Sequence, residues 1–199
     1  MRRAALEAAP LGFFSVASRV RSFVALEMPD RQRVVLAGHL EECARLAAGY
    51  RWVAPESLHL TLRFLGGLEL PTLDGLRAEL ARARGAPFRL ALGGLGTFGG
   101  SVSPRVVWLR VTEGLDACAA LARGVEAACQ AAGLEPEPRG FRAHVTLARQ
   151  RTESERLPEL PAPPPLDPWT VEHFVLYESI LRPGGPRYVP LERYPLDGG

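Results

Sequence analysis

The chain of 199 residues contains no lysine; all 24 of its basic side chains are arginine. A GC-rich coding bias or a heat-adapted host accounts for such a preference. Its consequence is chemical, because arginine presents a planar fork that matches phosphate oxygens. The formal net charge of +2 is too small to mark the whole molecule as a partner of polyanions. Cysteine is scarce. Cys43, Cys118 and Cys129 are odd in number, scattered and without CxxC spacing, which argues against a disulfide framework or a thiolate metal site. Buried free thiols in a reducing compartment fit them. No run of 18 apolar residues occurs, so no segment reads as a membrane-spanning helix. A GxSxG nucleophile turn is missing, as is a phosphate loop ending in GKS/T. Serine-hydrolase and ATP-dependent chemistry are thereby disfavoured. What remains, 47% hydrophobic and 23% charged, is ordinary for a globular chain with length for one domain or two small lobes.

What is present is a repeated strand. Leu58-His59-Leu60-Thr61-Leu62-Arg63-Phe64 alternates strictly. Leu58, Leu60, Leu62 and Phe64 read as a core face, and His59, Thr61 and Arg63 as an open face. The pattern returns at Arg142-Ala143-His144-Val145-Thr146-Leu147, with Val145 and Leu147 inward and Arg142, His144 and Thr146 outward. Two of only four histidines thus sit in His-aliphatic-Thr-Leu. Two similar lobes, each lending a His and a Thr to a shared cleft, explain this better than two unrelated sheet histidines.

The surrounding pattern is α+β. Strands are expected at Ser22–Glu27, Arg51–Val53, 58–65, Phe88–Leu92, Arg105–Val111, about Phe141–Ala148, Val171–Leu181 and Tyr188–Tyr194. Helices are expected from an Asp30 N-cap to Gly49, from Thr72 or Asp74 to Gly85, and from Leu115 to Ala132. Gly93–Ser103 reads as a connection between lobes. Pro158–Pro168 reads as an irregular surface loop. Residues 1–20 read as a poorly ordered extension, and 21–199 as one bilobal domain with pseudo-repeats at 21–100 and 101–199. Glu7 and Pro10 interrupt the apolar stretch after Met1-Arg2-Arg3, so an export signal is unconvincing and a cytoplasmic location is expected. A monomer without membrane contact is expected.

Two histidines converging on one point suit a reaction that removes one proton and supplies another, since the unperturbed imidazole titrates near pH 6.5. Threonine hydroxyls can hold anionic oxygens, and arginine can carry charge that builds in the transition state. From Pro138 to Thr152 the charged residues are Arg139, Arg142, Arg149 and Arg151, with no acid. Together these point to a phosphate ester. No Asp, Glu or Cys lies within the motif strands, so no metal site and no cofactor is expected. Arg63 and Arg142 on the open faces are candidate substrate contacts. So is Phe23, one of the strand aromatics (with Trp52, Trp108 and Tyr177) that could stack on a base. His39, expected to be partly exposed, and His173 are not assigned catalytic roles.

At these residues the sequence resembles the 2H phosphoesterases, and within them the RNA 2′,3′-cyclic phosphodiesterases, also called 2′–5′ RNA ligases. The resemblance rests on Phe23-Val24-Ala25-Leu26 with Pro29, on Arg51-Trp52-Val53, and on Glu56 to Gly66 around the first motif. It continues through Leu92–Gly96, Pro104–Trp108, Phe141–Arg149 around the second motif, Leu176–Ser179, and Gly185 with Tyr188. It implies two antiparallel-rich sheets around a central cleft, with helices on the outer faces. It implies metal-independent hydrolysis of RNA 2′,3′-cyclic phosphate ends to 2′-phosphomonoesters, with 2′–5′ ligation as the reverse reaction. The implied base is His144 and the implied acid His59, while Thr61, Thr146 and Arg149 match phosphate-contacting positions. In an ideal strand Arg149 is out of phase with His144, so it has to reach the site from a strand end or bulge. Ala143 stands where the family usually has Pro, and residues 1–20 have no counterpart. The alternatives are a nucleotide- or RNA-binding module without turnover, or an esterase for another small cyclic phosphate or a 2′–5′ oligonucleotide.

Overall fold

The alternation around His59 does build a strand, but it does not run unbroken. In the computed structural model, which describes residues 19–83, 85–100, 102–152, 156–183 and 185–197, the chain begins with β1 (Val20–Glu27), α1 (Asp30–Leu46) and β2 (Tyr50–Trp52). A 3₁₀ turn (Pro55–Ser57), β3 (His59–Leu68), α2 (Leu70–Leu80) and β4 (Phe88–Gly99) follow. The second part comprises β5 (Pro104–Glu113), α3 (Leu115–Ala131), β6 (His144–Gln150), β7 (Trp169–Val171), β8 (His173–Ile180) and β9 (Arg187–Pro195). The expected extension over 1–20 lies outside the described residues except for Arg19 and Val20, and Val20 already belongs to β1.

All the strand pairings are antiparallel, in the order β7-β4-β5-β6-β3-β1-β8-β9, with β2 also paired to β6. The two antiparallel-rich sheets that were expected are the halves of one curled sheet. The structure joins the halves where β3 meets β6, through the pair Leu60↔Val145. The sheet halves mix strands from residues 21–100 and 101–199. β4 from the first part pairs with β5, and the C-terminal hairpin β8–β9 returns to pair with β1. Each half thus includes strands from the other part of the chain, β4 in one and β8–β9 in the other.

The helices share one side of the sheet. Leu36 and Leu40 of α1, Leu73, Leu76 and Leu80 of α2, and Cys118, Leu121, Val125 and Cys129 of α3 pack in one core. Val24, Leu26, Leu60, Leu62, Val145, Leu147 and Leu176 of the sheet join them. The three cysteines are buried and free. His39 is buried too, against Cys43, rather than partly exposed as its late position in the helix suggested. Helix α1 begins at Asp30 itself, with Pro29 in the capping position. Helix α2 begins at Leu70, ahead of Thr72 and Asp74, with Pro71 in its first turn, where a missing N–H costs nothing.

The glycine-rich stretch is not a linker. Gly93 to Gly99 continue β4 along β5. Glycine is needed there because of Trp108. A Cβ on Gly96, its ladder partner, would lie 2.5 Å from the indole ring. Gly96→Ala therefore has to displace Trp108, and overpacking of this kind costs about 1–3 kcal/mol. Urea unfolding of Gly96→Ala should show a lower midpoint and altered tryptophan emission; a wild-type midpoint and spectrum would contradict the packing described.

Candidate active site

The Leu60↔Val145 pair fixes the geometry of the two motifs. Extending its antiparallel register by one residue each way sets His59 opposite Thr146 and Thr61 opposite His144. Each histidine then faces the other motif's threonine, and the two imidazoles are diagonal neighbours. In an ordinary ladder such diagonals are roughly 7–8 Å apart, with room for a phosphoryl group between the rings.

The two rings are held alike. Nδ1 of His59 lies 2.8 Å from the carbonyl of Ser57, and Nδ1 of His144 lies 2.7 Å from that of Arg142. A carbonyl only accepts, so each Nδ1 carries the proton and donates it. Each Nε2 is left with a lone pair. Aromatic walls fix the rings further. Phe23 and Tyr188 lie 4.8 and 5.1 Å from the His59 ring, while Phe98 and Trp108 lie 5.0 and 5.9 Å from that of His144.

Both motif strands bulge at the same point. Opposite β1, the register skips Leu62, since Ala25 pairs with Thr61 and Val24 with Arg63. Opposite β5, it skips Leu147, since Trp108 pairs with Thr146 and Val107 with Ala148. A bulge puts two successive residues on one face and reverses the alternation beyond it. In β6 this brings Arg149 into phase with His144 and Thr146.

In β3 the same bulge overturns two expectations. Phe64 is 55% exposed, on the cleft side, rather than in the core. Arg63, expected on the open face beside His59 and Thr61, is turned to the helix side and buried. It binds Glu126 (3.1 Å) and Glu137 (2.8 Å) and donates to the carbonyl of Glu135. Arg63 therefore pins α3 and the following turn to the motif strand and is not a substrate contact. Arg142 is exposed at the rim, its guanidinium 5.7 Å from the Phe98 ring centre. Phe23 packs against His59 and stacks on Tyr177.

Burial pushes the His59 imidazole down to about 4; the Ser57 carbonyl opposes this, and Arg149, His144 and Arg33 add to it. Burial also lowers His144, with the Arg142 carbonyl opposing and Arg149 reinforcing. Arg149 thus acts on both rings. At neutral pH both imidazoles are uncharged, in a site whose fixed charge is positive. An anion placed between them would raise both and draw in a proton.

A cavity of about 1010 Å³ opens beside His59, lined among others by Phe23, Trp52, Phe64, Arg149 and Tyr188. Arg51 also lines it and stands directly opposite Arg149 in the β2–β6 ladder. Arg51, Phe64, Phe98 and Tyr188 were not expected as site residues. Arg51 and Tyr188 lie in blocks that carry the family resemblance, but only the pairing of β2 with β6 and of β9 with β8 brings them to the cleft. His173 lies elsewhere, 3.2 Å from Glu27. Among the described residues no cluster of three or more His, Cys, Asp or Glu side chains is placed to hold a metal ion. No described helix is long and apolar enough to cross a membrane.

A curled antiparallel sheet with helices on one side and two inward-facing His-x-Thr strands defines a phosphoester-handling class of protein. Comparison with known proteins agrees. Residues 32–181 match the family model of the 2′-5′ RNA ligase superfamily. The RNA 2′,3′-cyclic phosphodiesterase of Thermus thermophilus is 37% identical over 190 residues, covering 90% of this chain and 91% of that protein. That of Escherichia coli is 32% identical over 178 residues, covering 88% and 96%. Among solved structures, a phosphoesterase superposes with a TM-score of 0.78 at 30% identity, covering 90% of this chain and 99% of that one. Escherichia coli LigT complexed with 3′-AMP does so with a TM-score of 0.76 at 30% identity, covering 89% and 98%. The chain belongs to the 2′-5′ RNA ligase superfamily of 2H phosphoesterases and is an enzyme of that family.

The histidine environment sets a testable pH dependence. Both folded-state values lie below the unfolded value near 6.5, so the neutral rings stabilise the fold above that pH. The contribution is lost as pH falls, for His59 between 6.5 and about 4. In an NMR titration of the histidine Cε1 protons, both motif histidines should titrate below pH 6.5, His59 the lower, and both should move up on adding inorganic phosphate. Midpoints at or above 6.5 without phosphate would contradict this electrostatic picture.

Proposed function

We propose that the enzyme hydrolyses RNA ends bearing a 2′,3′-cyclic phosphate to 2′-phosphomonoesters, without metal, by proton transfer between two histidines. The observation that carries this reading is the matched pair of imidazoles on strands that meet at Leu60↔Val145, each with Nδ1 tied to a backbone carbonyl two residues back, which leaves Nε2 to exchange a proton. The names and overlap of the Thermus and Escherichia relatives support the substrate class. A protein that only bound nucleotides would need no such pair.

In the proposed reaction Nε2 of His144 takes a proton from water as the water oxygen forms a bond to phosphorus. The bond from phosphorus to O3′ breaks, and protonated His59 gives its proton to that oxygen. The product keeps phosphate on O2′. His144 is the more exposed ring and is open to water. His59 lines the large cavity, where the ribose and the rest of the RNA have room, which favours it as the proton donor to the ribose oxygen. Thr61 and Thr146 hold the non-bridging oxygens, and Arg149, in phase with both motif side chains, balances the charge that builds on them. The anion raises His59 and thereby supplies the protonated form the reaction needs. Phe23 and Arg142 are positioned to border the nucleoside. With a 5′-hydroxyl in place of water as the nucleophile, the same displacement forms a 2′–5′ linkage.

His59→Ala and His144→Ala should each lower kcat on a cyclic-phosphate RNA by about 10²–10⁴. The profile of kcat/KM against pH should be bell-shaped. Its maximum should lie below pH 6.5, since it falls midway between two free-enzyme values that are both lowered. Turnover unaffected by either substitution, or an optimum above pH 7, would rule out the mechanism.

A further inference from the structure

The cavity beside His59 is larger than a single cyclic nucleotide requires. Its volume of about 1010 Å³ lies at the top of the ~300–1,000 Å³ range of small-molecule pockets. Arg21, Arg51, Arg139, Arg149, Arg151 and Arg182 line it, and no carboxylate does among the described residues. The reaction accounts for Arg149 alone.

The arrangement of these arginines is costly without an anion. Arg51 and Arg149 are direct ladder partners and so share a face. Like charges directly opposite destabilise a sheet. Among the described residues neither has an acidic partner, and both are exposed. The backbone N–H of Arg151 donates to Gly49 at 2.9 Å and extends the same ladder. Arg151 therefore follows Arg149 on the cleft face, roughly 7 Å further along. Arg21, at the far end of β1, and Arg182, after β8, come from the other half of the sheet. Phe64 and Tyr188 line the same cavity. Cationic grooves interleaved with aromatic rings suit single-stranded nucleic acid, with forks on the phosphates and rings under the bases.

We propose that this arm is a subsite for the RNA backbone adjoining the cyclic phosphate. The first internucleotide phosphate lies at Arg51 and Arg151, and Arg21 and Arg182 contact the strand from the opposite half. This rests on the function proposed above. A 2′,3′-cyclic phosphate is by its chemistry a 3′ end, so the rest of the chain lies on its 5′ side, and the arm is where that chain goes. The enzyme is then selective for the end of an RNA strand over a cyclic mononucleotide.

The test compares an adenosine hexanucleotide ending in a 2′,3′-cyclic phosphate with 2′,3′-cyclic AMP, using wild type and an Arg51→Gln/Arg182→Gln double variant. For wild type at low salt, KM should be at least about tenfold lower for the hexamer. The slope of log KM against log salt should be steeper for the hexamer by about 0.7 per phosphate held. The double variant should lose most of that preference and part of the slope. Equal KM values for the two substrates in wild type would overturn the proposal even if the variant failed to fold, as would an equal loss on both substrates in a folded variant. Absence of turnover with either substrate would instead overturn the function reading. The arm is then tested by fluorescence anisotropy with a labelled hexamer carrying a 2′-phosphate. Binding weakened in the variant supports the arm, and binding that is absent or indifferent to the two arginines refutes it.

Discussion

One backbone contact organises the molecule: the antiparallel meeting of β3 and β6 at Leu60 and Val145. Both residues point into the core, so their neighbours on either side must point into the cleft. Because the two strands carry the same motif and run in opposite directions, one contact sets both histidines and both threonines around a near-two-fold axis. The outer strands then brace that arrangement. β1 holds Phe23 against His59, and the β4–β5 hairpin holds Phe98 and Trp108 against His144. The interleaved chain path ties the halves together, since each half depends on strands from both parts of the sequence.

The bulges are the second device, and they explain how an internal likeness came to be used differently. In each motif strand the residue after the Leu turns inward and the next turns outward. In β6 the inward residue is Ala148 and the outward one Arg149. In β3 they are Arg63 and Phe64. The same backbone irregularity thus gives one half a cation on the cleft face and the other an aromatic surface. It leaves Arg63 to secure α3 through Glu126 and Glu137.

Much of this was legible in the residues. The period-two alternation around His59 and His144 fixed both motif strands, and the apolar spacing marked all three helices. That Arg149 needed a strand end or a bulge to reach the site followed from its parity with His144, and the structure supplies the bulge. What was not legible has a common cause: a property of the pairing partner and not of the segment read. The fate of Arg63 depends on a bulge set by β1 and on carboxylates more than sixty residues away. The glycines after Leu92 suggest a loop until Trp108 is known to lie across Gly96. Arg51 is an unremarkable strand residue until β2 is found beside β6. Strand order and register are long-range facts, and one chain read segment by segment does not contain them.

The electrostatics of the two motifs favour an anion between them. Burial and Arg149 hold both imidazoles below the ordinary histidine range, and an anion between them would raise both. The measurement that tests the central claim most directly is the hydrolysis of a cyclic-phosphate RNA in ¹⁸O-labelled water with excess EDTA, followed by analysis of the product. Undiminished turnover and a 2′-phosphomonoester carrying one labelled oxygen are expected. A 3′-phosphate product, or turnover that stops with EDTA and returns on adding a divalent metal, would contradict the claim.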